Sequence, residues 1–173
     1  MQLNRRQVMS LAAASALTPL HNAFAQAGYP AKPITLVVPF APGGAVDNSG
    51  RLIAERLSRV LKVPVVVDNK AGAGGAIGSS FAAKAAADGY TLVVTSQSTH
   101  VVNPAVNPRL PYDALKDFAP ITLIDRLANV LLVNKDLPVK TFADLVKFAQ
   151  ANPDKLSYAS AGIGSVSHLS MEL

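Results

Sequence analysis

The chain has 173 residues, half of them hydrophobic, with 16 lysines and arginines against 11 aspartates and glutamates and no cysteine. This composition is typical of a globular protein, argues against a disordered chain, and excludes disulfide bonds, cysteine-ligated metals and a lipid anchor on an N-terminal cysteine. The small excess of basic residues is spread along the chain, whereas a nucleic-acid-binding surface needs lysines and arginines gathered on one face. We therefore expect no nucleic-acid partner.

Residues 1–25 have the pattern of an export signal. A positively charged start is followed by the apolar stretch 8–20 and by the sequence AFA at 23–25, which matches the small-x-small rule for cleavage. The apolar stretch is too short to cross a bilayer core of about 30 Å as a stable helix. The pair Arg5 and Arg6 fits both the general and the twin-arginine export routes, so the route stays open. We expect an exported, soluble, periplasmic protein.

From Lys32 the chain alternates apolar runs, glycine-containing loops and amphipathic segments. The elements predicted from this alternation are strand 34–40, a helix that begins near Asp47 and ends near Leu61, strand 63–67, helix 76–87 and strand 90–95. β-branched residues dominate the first run, as in a buried parallel strand. This alternation predicts right-handed crossovers and a parallel sheet with helices on both faces.

The first predicted helix has two different faces. Four apolar residues at helical spacing are expected to face the sheet, namely Ile53, Leu57, Val60 and Leu61. Three charged residues at favourable i, i+4 spacing are expected on the opposite face, namely Arg51, Glu55 and Arg59. Gly50 interrupts the helix interior, where glycine costs about 1 kcal/mol relative to alanine.

The remainder of the chain begins with segment 96–118, a proline-containing ordered loop with room for one helical turn. The elements predicted after it are strands 121–125 and 130–134, a helix capped by Thr141, strand 156–159 and a helix after the Gly/Ser loop 160–167. Asp144 stands in the capping-box relation to Thr141, and the expected buried residues of that helix are Leu145, Val146 and Phe148. The chain stops inside the last helix without a capping residue. We therefore interpret it as an N-terminal fragment whose residues 129–173 are too few for an independent core.

Two loops share one construction and are candidate binding sites. Residues 41–47 (APGGAVD) and residues 160–165 (SAGIGS) each follow a predicted strand and lead into a predicted helix. A helix start has unpaired backbone N–H groups and about half a positive charge, and glycines let those groups approach an anion. Because ligands bind at the carboxyl edge of an open parallel sheet, two such loops could hold one carboxylate between them. The alternative is that the glycines only make the turns.

Seven short motifs follow one another through the chain. They are PFAPGG at 39–44 with Asp47, VVDNKAGAGG at 66–75, DGYTL at 88–92, Thr99-His100 with Asn103-Pro104, LPYD at 110–113, KDFAP at 116–120, and YASAGIGS at 158–165 with His168-Leu169. Together, and in this order, they resemble the Bug-type receptors, the periplasmic solute-binding proteins of tripartite tricarboxylate transporters. The resemblance covers essentially all of the chain after the predicted export signal.

The resemblance implies an α/β, periplasmic-binding-protein-like fold of two doubly wound lobes around a cleft that closes on a carboxylated ligand. Residues 26–128 would form the first lobe, incomplete without a returning C-terminal half, and residues 129–173 the truncated start of the second lobe. The implied function is an extracytoplasmic receptor that captures a small carboxylate for the membrane subunits of a tripartite tricarboxylate transporter. No catalysis, cofactor or metal is expected, and the full-length protein is expected to be a monomer.

The resemblance also implies which residues form the site. Those expected to grip a ligand carboxylate through backbone groups and ordered water are Gly43, Gly44 and Ala45 in the first loop, and Ala161, Gly162, Gly164 and Ser165 in the second. Asp47 matches an acid at the start of the first helix, either as its N-cap or as a ligand contact. Ser96 and Thr99 match a polar loop that borders the cleft.

Other functions stay open at this point. An exported enzyme with a nucleotide cofactor would use the loop GAGGAIG at 72–78, but Ile77 stands at the third glycine position and no acid follows the third strand. A ligand-sensing receptor for a membrane signalling partner would have the same motifs as a transport receptor. A hydrolase is disfavoured, because no Gly-x-Ser-x-Gly elbow surrounds Ser165 or His168. His100 has no second ligand at metal-binding spacing.

Overall fold

A parallel sheet and the loops at one of its edges organise residues 28–173, the part of the chain that the computed structural model describes. The strands are β1 (Ile34–Val38), β2 (Val65–Asn69) and β3 (Thr91–Val93). The helices are α1 (Ala45–Leu61), α2 (Ala76–Ala83), α3 (Asn103–Val106), α4 (Phe142–Ala151) and α5 (Val166–Glu172). A 3₁₀ turn (Ala73–Gly75) precedes α2, and a π-helical turn (Ser98–Val102) precedes α3. The predicted export signal lies outside the described residues, and all of these elements belong to one unit, Lys32–Leu173.

β1 is the middle strand of the sheet, whose order is β2-β1-β3 with parallel neighbours throughout. Ile34, Val37 and Val38 are entirely buried, as a continuous β-branched run in a parallel sheet predicts. β1 ends two residues earlier than predicted, because Pro39 has no N–H to donate to a neighbouring strand. The predicted strand, loop and helix alternation and the parallel sheet are confirmed.

Small residues of α1 lie against the sheet. Ala54 joins Leu36, Val38 and Val94 in the buried core. A Cβ built on Gly50 would lie 2.9 Å from Cγ2 of Val38 and 3.4 Å from Cγ2 of Val94. The glycine that interrupts the helix therefore lets α1 approach the sheet closely, which explains its presence despite its low helix propensity.

The predicted inner stripe of α1 is wrong for Val60, which is 77% exposed. The buried positions of α1 are instead Asp47, Gly50 and Ala54. A helix of 17 residues is roughly 25 Å long, whereas a strand of five residues spans only about 16 Å. The last turn of α1 therefore extends past the sheet, and an apolar residue at the edge of the stripe remains exposed.

The predicted strands 121–125, 130–134 and 156–159 are not present as strands in the described residues. A strand forms when its N–H and C=O groups pair with a neighbouring strand, and these segments have no such neighbour within residues 28–173. Their apolar side chains are exposed as a result, with Ile121 at 78% and Leu132 at 85%. The prediction was wrong because β-propensity measures how well residues suit a paired strand and does not indicate whether a partner strand is present.

α4 begins as predicted but does not bury its apolar side. Asp144 N donates to Thr141 Oγ1 at 3.1 Å and Thr141 N donates to Asp144 Oδ2 at 3.0 Å, so the predicted capping box is confirmed. The expected burial of Leu145, Val146 and Phe148 is wrong, because no residue of α4 is buried. Within residues 28–173, no helix has both the length and the apolar character needed to cross a membrane.

Candidate functional site

Three loops leave the carboxyl edge of the sheet side by side. Because β1, β2 and β3 are parallel neighbours, the segments that follow them begin at the same edge. The first glycine turn (residues 41–47) follows β1, the linking loop (residues 72–75) follows β2, and the segment that contains Ser96 and Thr99 follows β3. The structure therefore brings together the first group of predicted site residues.

The first glycine turn presents the start of α1 to solvent. The N-cap of α1 is Gly44, in an extended conformation with φ −76° and ψ 169°, and no side chain caps the helix there. The amides of the first helical turn consequently have no acceptor inside the helix. Gly43 has φ +84°, a conformation that favours glycine, and Gly43, Gly44 and Ala45 are all exposed. The turn thus has the donor groups that an anion site requires.

Asp47 is buried beneath this turn and is not the N-cap, so that predicted role is wrong. It is the third residue of α1 and 1% exposed. Gly43 N donates to Asp47 Oδ2 at 2.8 Å, Arg51 Nε donates to the same oxygen at 2.9 Å, and Asn69 Nδ2 donates to Oδ1 at 2.8 Å. The hydrogen bond from Arg51, followed by those from Asn69 and Gly43, lowers the pKa of Asp47 to about 2. Asp47 is therefore an internal carboxylate that uses the amide of Gly43.

Arg51 and Asn69 were not predicted as site residues. Arg51 is exposed, as expected for its face of α1, and it pairs with Asp47, while Arg59 pairs with Glu55. The i, i+4 spacing of Asp47 and Arg51 was a signal for this pair. Asn69, at the end of β2, reaches the turn only through the parallel pairing of β1 and β2, so nothing local in the sequence indicates its role.

The second glycine turn (residues 160–165) satisfies several of its own polar groups. Ala161 N donates to Ser167 Oγ at 3.1 Å, and Gly162 N donates to Ser160 Oγ at 3.3 Å. Ser165 is the N-cap of α5, is 1% exposed, and accepts a hydrogen bond from His168 N at 3.1 Å. The predicted place of Ser165 at a helix start is confirmed. The amides of Ala161 and Gly162, which were expected to face a ligand, already donate to serine hydroxyls within the turn and α5.

The second glycine turn contacts the linking loop through backbone atoms. A Cβ built on Gly74 would lie 2.5 Å from the carbonyl oxygen of Ile163 and 3.1 Å from the carbonyl carbon of Gly164. Asn103, 3% exposed, donates from Nδ2 to the carbonyl oxygen of Gly74 at 3.0 Å. Val166 N donates to Ser98 Oγ at 3.0 Å. The linking loop, earlier considered only as a cofactor loop, is thus packed against backbone and has no space for a pyrophosphate at Gly74.

The linking loop also approaches Phe40, the residue that precedes the first glycine turn. A Cβ built on Gly75 would lie 3.1 Å from Cζ of Phe40 and 2.5 Å from Cγ2 of Thr99. Thr99 is entirely buried, donates from Oγ1 to the carbonyl oxygen of Ser96 at 3.0 Å, and accepts from Ser96 N at 3.0 Å. The linking loop therefore lies between the second glycine turn and the residues that lead from β1 into the first glycine turn, and Thr99 packs against it.

His100 extends this support into an aromatic cluster. Its ring centroid lies 4.7 Å from that of Phe118 and 6.1 Å from that of Tyr112. His100 Nδ1 is 3.0 Å from Thr99 Oγ1, whose own hydrogen goes to Ser96, so Nδ1 is the donor. Nε2 is buried without a hydrogen-bond partner in the described structure. Burial lowers the pKa of His100, because a proton on Nε2 would place a charge where water cannot reach it.

We expect the protein to lose stability in mild acid because of His100. The unfolded residue takes up a proton near its ordinary pKa of about 6.5, whereas the folded residue does so only at lower pH. The free energy of unfolding should be constant well above pH 6.5, decrease as the pH falls through it, and level off below the lowered pKa. Urea unfolding of the parent and of His100→Phe between pH 8 and 5 measures this. An equal pH dependence in both proteins would contradict the assignment to His100.

Comparison with known proteins agrees with this arrangement. A family model described as "Tripartite tricarboxylate transporter family receptor" matches residues 50–173. A UPF0065 protein of the tcbD-tcbE intergenic region of Pseudomonas sp. (strain P51) is 43% identical over 99% of this chain and 51% of its own length. Two solved structures from R. palustris, Rpa4515 with adipate and MatC with bound malate, are 42% and 38% identical, each with a TM-score of 0.79 over 83% of this chain.

The chain spans about half the length of these relatives, covering 48% and 49% of the two structures. Within the matched part the structural likeness is high. It confirms the predicted α/β, periplasmic-binding-protein-like fold class for the matched residues.

Proposed function

This chain belongs to the tripartite tricarboxylate transporter receptor family, and we propose that it forms the N-terminal part of a periplasmic receptor for a small carboxylate. The receptor binds its ligand without catalysing a reaction and delivers it to the membrane subunits of such a transporter. The two structural relatives with adipate and malate support this proposal, since both of those ligands are dicarboxylates. In the same proposal, residues 1–25 direct export.

We assign residues 26–128 to a first lobe and residues 129–173 to the beginning of a second, as the motifs suggest. The sheet and its supporting helices occupy residues 34–106. Apolar side chains between residues 121 and 133 are exposed. The relatives are about twice as long as this chain, which gives them enough polypeptide to cover such side chains and to complete both lobes.

The exposed start of α1 is the observation that supports the proposal most directly. Its first-turn amides have no helical acceptor, and the helix dipole adds a partial positive charge there. Gly44 and Ala45 leave the approach to these amides open, because neither has a side chain larger than a methyl group. A ligand carboxylate would accept hydrogen bonds from these amides at the carboxyl edge of the sheet.

The second glycine turn contributes hydroxyl groups to the proposed site. The hydroxyls of Ser160 and Ser167 accept hydrogen bonds from the amides of Gly162 and Ala161. A serine hydroxyl that accepts an amide hydrogen keeps its own hydrogen to donate, so Ser160 can donate to a carboxylate. We propose that Gly162 and Gly164 allow this turn to approach the ligand, directly or through ordered water.

The charge of the protein has a small role in this proposal. Arg51 is the cation nearest in sequence to the first glycine turn, and it is paired with Asp47. Recognition therefore rests on neutral backbone and hydroxyl donors, which are directional and favour the planar carboxylate group.

A thermal-shift screen tests the proposed function. The protein is produced from its complete reading frame and exposed to malate, adipate and other carboxylates, with the corresponding amides as uncharged controls of the same shape. A carboxylate present at one hundred times its dissociation constant should stabilise the folded protein by about 2.7 kcal/mol. This corresponds to a rise of several degrees in the melting temperature.

The amides separate carboxylate recognition from general binding. If the carboxylates raise the melting temperature and the amides do not, the proposed site chemistry is supported. If the amides stabilise the protein as well as the acids do, or if only uncharged compounds stabilise it, the proposal of a carboxylate receptor is wrong.

A further inference from the structure

A closed network of three polar side chains lies under the first glycine turn. Asp47 accepts hydrogen bonds from Gly43, Arg51 and Asn69, and Arg51 Nη2 donates to Asn69 Oδ1 at 2.9 Å. We propose that Asp47, Arg51 and Asn69 are positioning residues of the carboxylate site, which fix the amides at the start of α1 without contacting the ligand. This inference rests on the proposed function and adds to it the residues that determine affinity.

The network holds the turn at both of its ends. Asn69 Nδ2 donates to the carbonyl oxygen of Phe40 at 3.1 Å, where the chain leaves β1. Asp47 holds the amide of Gly43, whose φ is +84°. These two contacts restrain the residues between them, and only Gly44, the N-cap, separates Gly43 from α1. Donors that are ordered before the ligand arrives bind it without the cost of ordering them.

The network also removes an electrostatic conflict. Asp47 is a negative charge beneath a turn that binds a negative ligand, and an unbalanced carboxylate there would repel it. Arg51 lies one helical turn later, and its Nε donates to Asp47 at 2.9 Å. The pair is close to neutral as seen from the turn. Asp47 can therefore retain the strong acceptor oxygens that hold the amide of Gly43 and the side-chain amide of Asn69.

The direction of one mutational effect separates positioning from simple electrostatics. Asp47→Asn removes a negative charge, so electrostatics alone predicts tighter binding of a dicarboxylate. It also replaces one acceptor oxygen by a donor. In place of Oδ2 the new amide would face Gly43 N and Arg51, and in place of Oδ1 it would face Asn69, so either orientation loses one of the contacts that hold the turn. Positioning therefore predicts weaker binding, the opposite result.

The experiment measures the dissociation constants of malate and adipate by calorimetry on the protein from its complete reading frame. We expect Asp47→Asn and Asn69→Ala to raise both constants at least tenfold, and Arg51→Lys to raise them less, because lysine keeps the charge and loses the second hydrogen bond. The double variant Asp47→Asn/Arg51→Gln restores the charge balance but not the geometry, so its affinity should stay low. Measurements are made where urea titration shows each variant to be folded.

A second ion pair on the same helix provides matched controls. Glu55 and Arg59 have the same i, i+4 spacing as Asp47 and Arg51, and both are exposed. Glu55→Gln and Arg59→Gln change the net charge by the same amounts away from the turn, and we expect changes of less than twofold in either dissociation constant.

Four results would overturn the inference. The first is an Asp47→Asn protein that binds malate and adipate as tightly as the parent or more tightly. The second is full recovery of affinity in the double variant, which would assign the whole effect to charge. If Asp47→Asn does not fold, unchanged affinity in Arg51→Lys and Asn69→Ala has the same meaning. A parent protein that none of the screened carboxylates stabilises overturns the proposed function itself and this inference with it.

Discussion

Gly78→Ala should lower the free energy of unfolding by about 3 kcal/mol, at the upper end of the usual cost of overpacking. Gly78 is buried in α2, and a Cβ there would lie 2.7 Å from the carbonyl oxygen of Lys70 and 2.7 Å from Cα of Pro39. Both are backbone atoms at the carboxyl edge of the sheet, and neither can move without shifting β1 or β2. The helix can relieve the clash only by moving away from the sheet.

Gly50→Ala is the matched comparison, because Gly50 is also a glycine inside a helix that packs on the sheet. The three atoms nearest to its added Cβ belong to side chains, and the closest is Cγ2 of Val38 at 2.9 Å, a stiff and fully buried side chain that would have to shift. The gain in helix propensity of about 1 kcal/mol offsets part of that cost. We expect Gly50→Ala to lower the free energy of unfolding in urea by less than Gly78→Ala does. Equal losses in the two variants would show that the backbone contact at Gly78 is not the cause.

Gly74→Ala should weaken the binding of the proposed carboxylate ligand by at least tenfold. The added Cβ would lie 2.5 Å from the carbonyl oxygen of Ile163, so the second glycine turn would have to move away from the linking loop. The same movement breaks the contact between that turn and the segment around Ser98. Because the proposed site lies between the two glycine turns, their separation removes one set of donors from the ligand.

Gly72→Ala controls for a methyl group in the same loop. The nearest atom to its added Cβ is Cδ1 of Ile77, at 2.5 Å, which is the end of a flexible side chain. Both glycines have positive φ, +60° for Gly74 and +129° for Gly72, so both substitutions strain the backbone. Calorimetry should show a much larger loss of affinity for Gly74→Ala. Equal losses would mean that backbone strain, and not the approach of the second turn, determines the effect.

The sheet could be predicted from the sequence because its information is local. A β-branched apolar run such as 34–38 indicates a buried strand, and an apolar period of 3.6 residues indicates the helix α1. The prediction for Val60 was wrong because periodicity gives the direction of a side chain but not the length of the surface that it meets. The strands predicted after residue 120 were wrong because strand formation requires a partner that no local pattern supplies.

The local features of the candidate site could also be predicted from the sequence, whereas its long-range contacts could not. Both glycine turns were recognisable as loops that lead into a helix, although the strand predicted before the second turn is not present in the described residues. The helix start after residue 44 was located within a few residues. Asn69 and the linking loop were missed because each acts through contacts with residues distant in sequence. Arg51 lies only four residues from Asp47, and its i, i+4 spacing was a local signal for the pair. Glycine can also occupy a position for several structural reasons, and the sequence of residues 72–75 does not distinguish close backbone approach from phosphate binding.

The low pKa of Asp47 has a consequence for how such a receptor would respond to acidity. A carboxyl that ionises near pH 2 keeps the same charge throughout the range in which most organisms live. Asp47 would then contribute no acid-dependent change in capture, and at the proposed site such a change would come from the ligand, since a protonated acid can no longer accept hydrogen bonds from the turn with both of its oxygens. The proposed site would therefore select the ionised form of a carboxylate over the protonated form, separately from the loss of stability expected from His100.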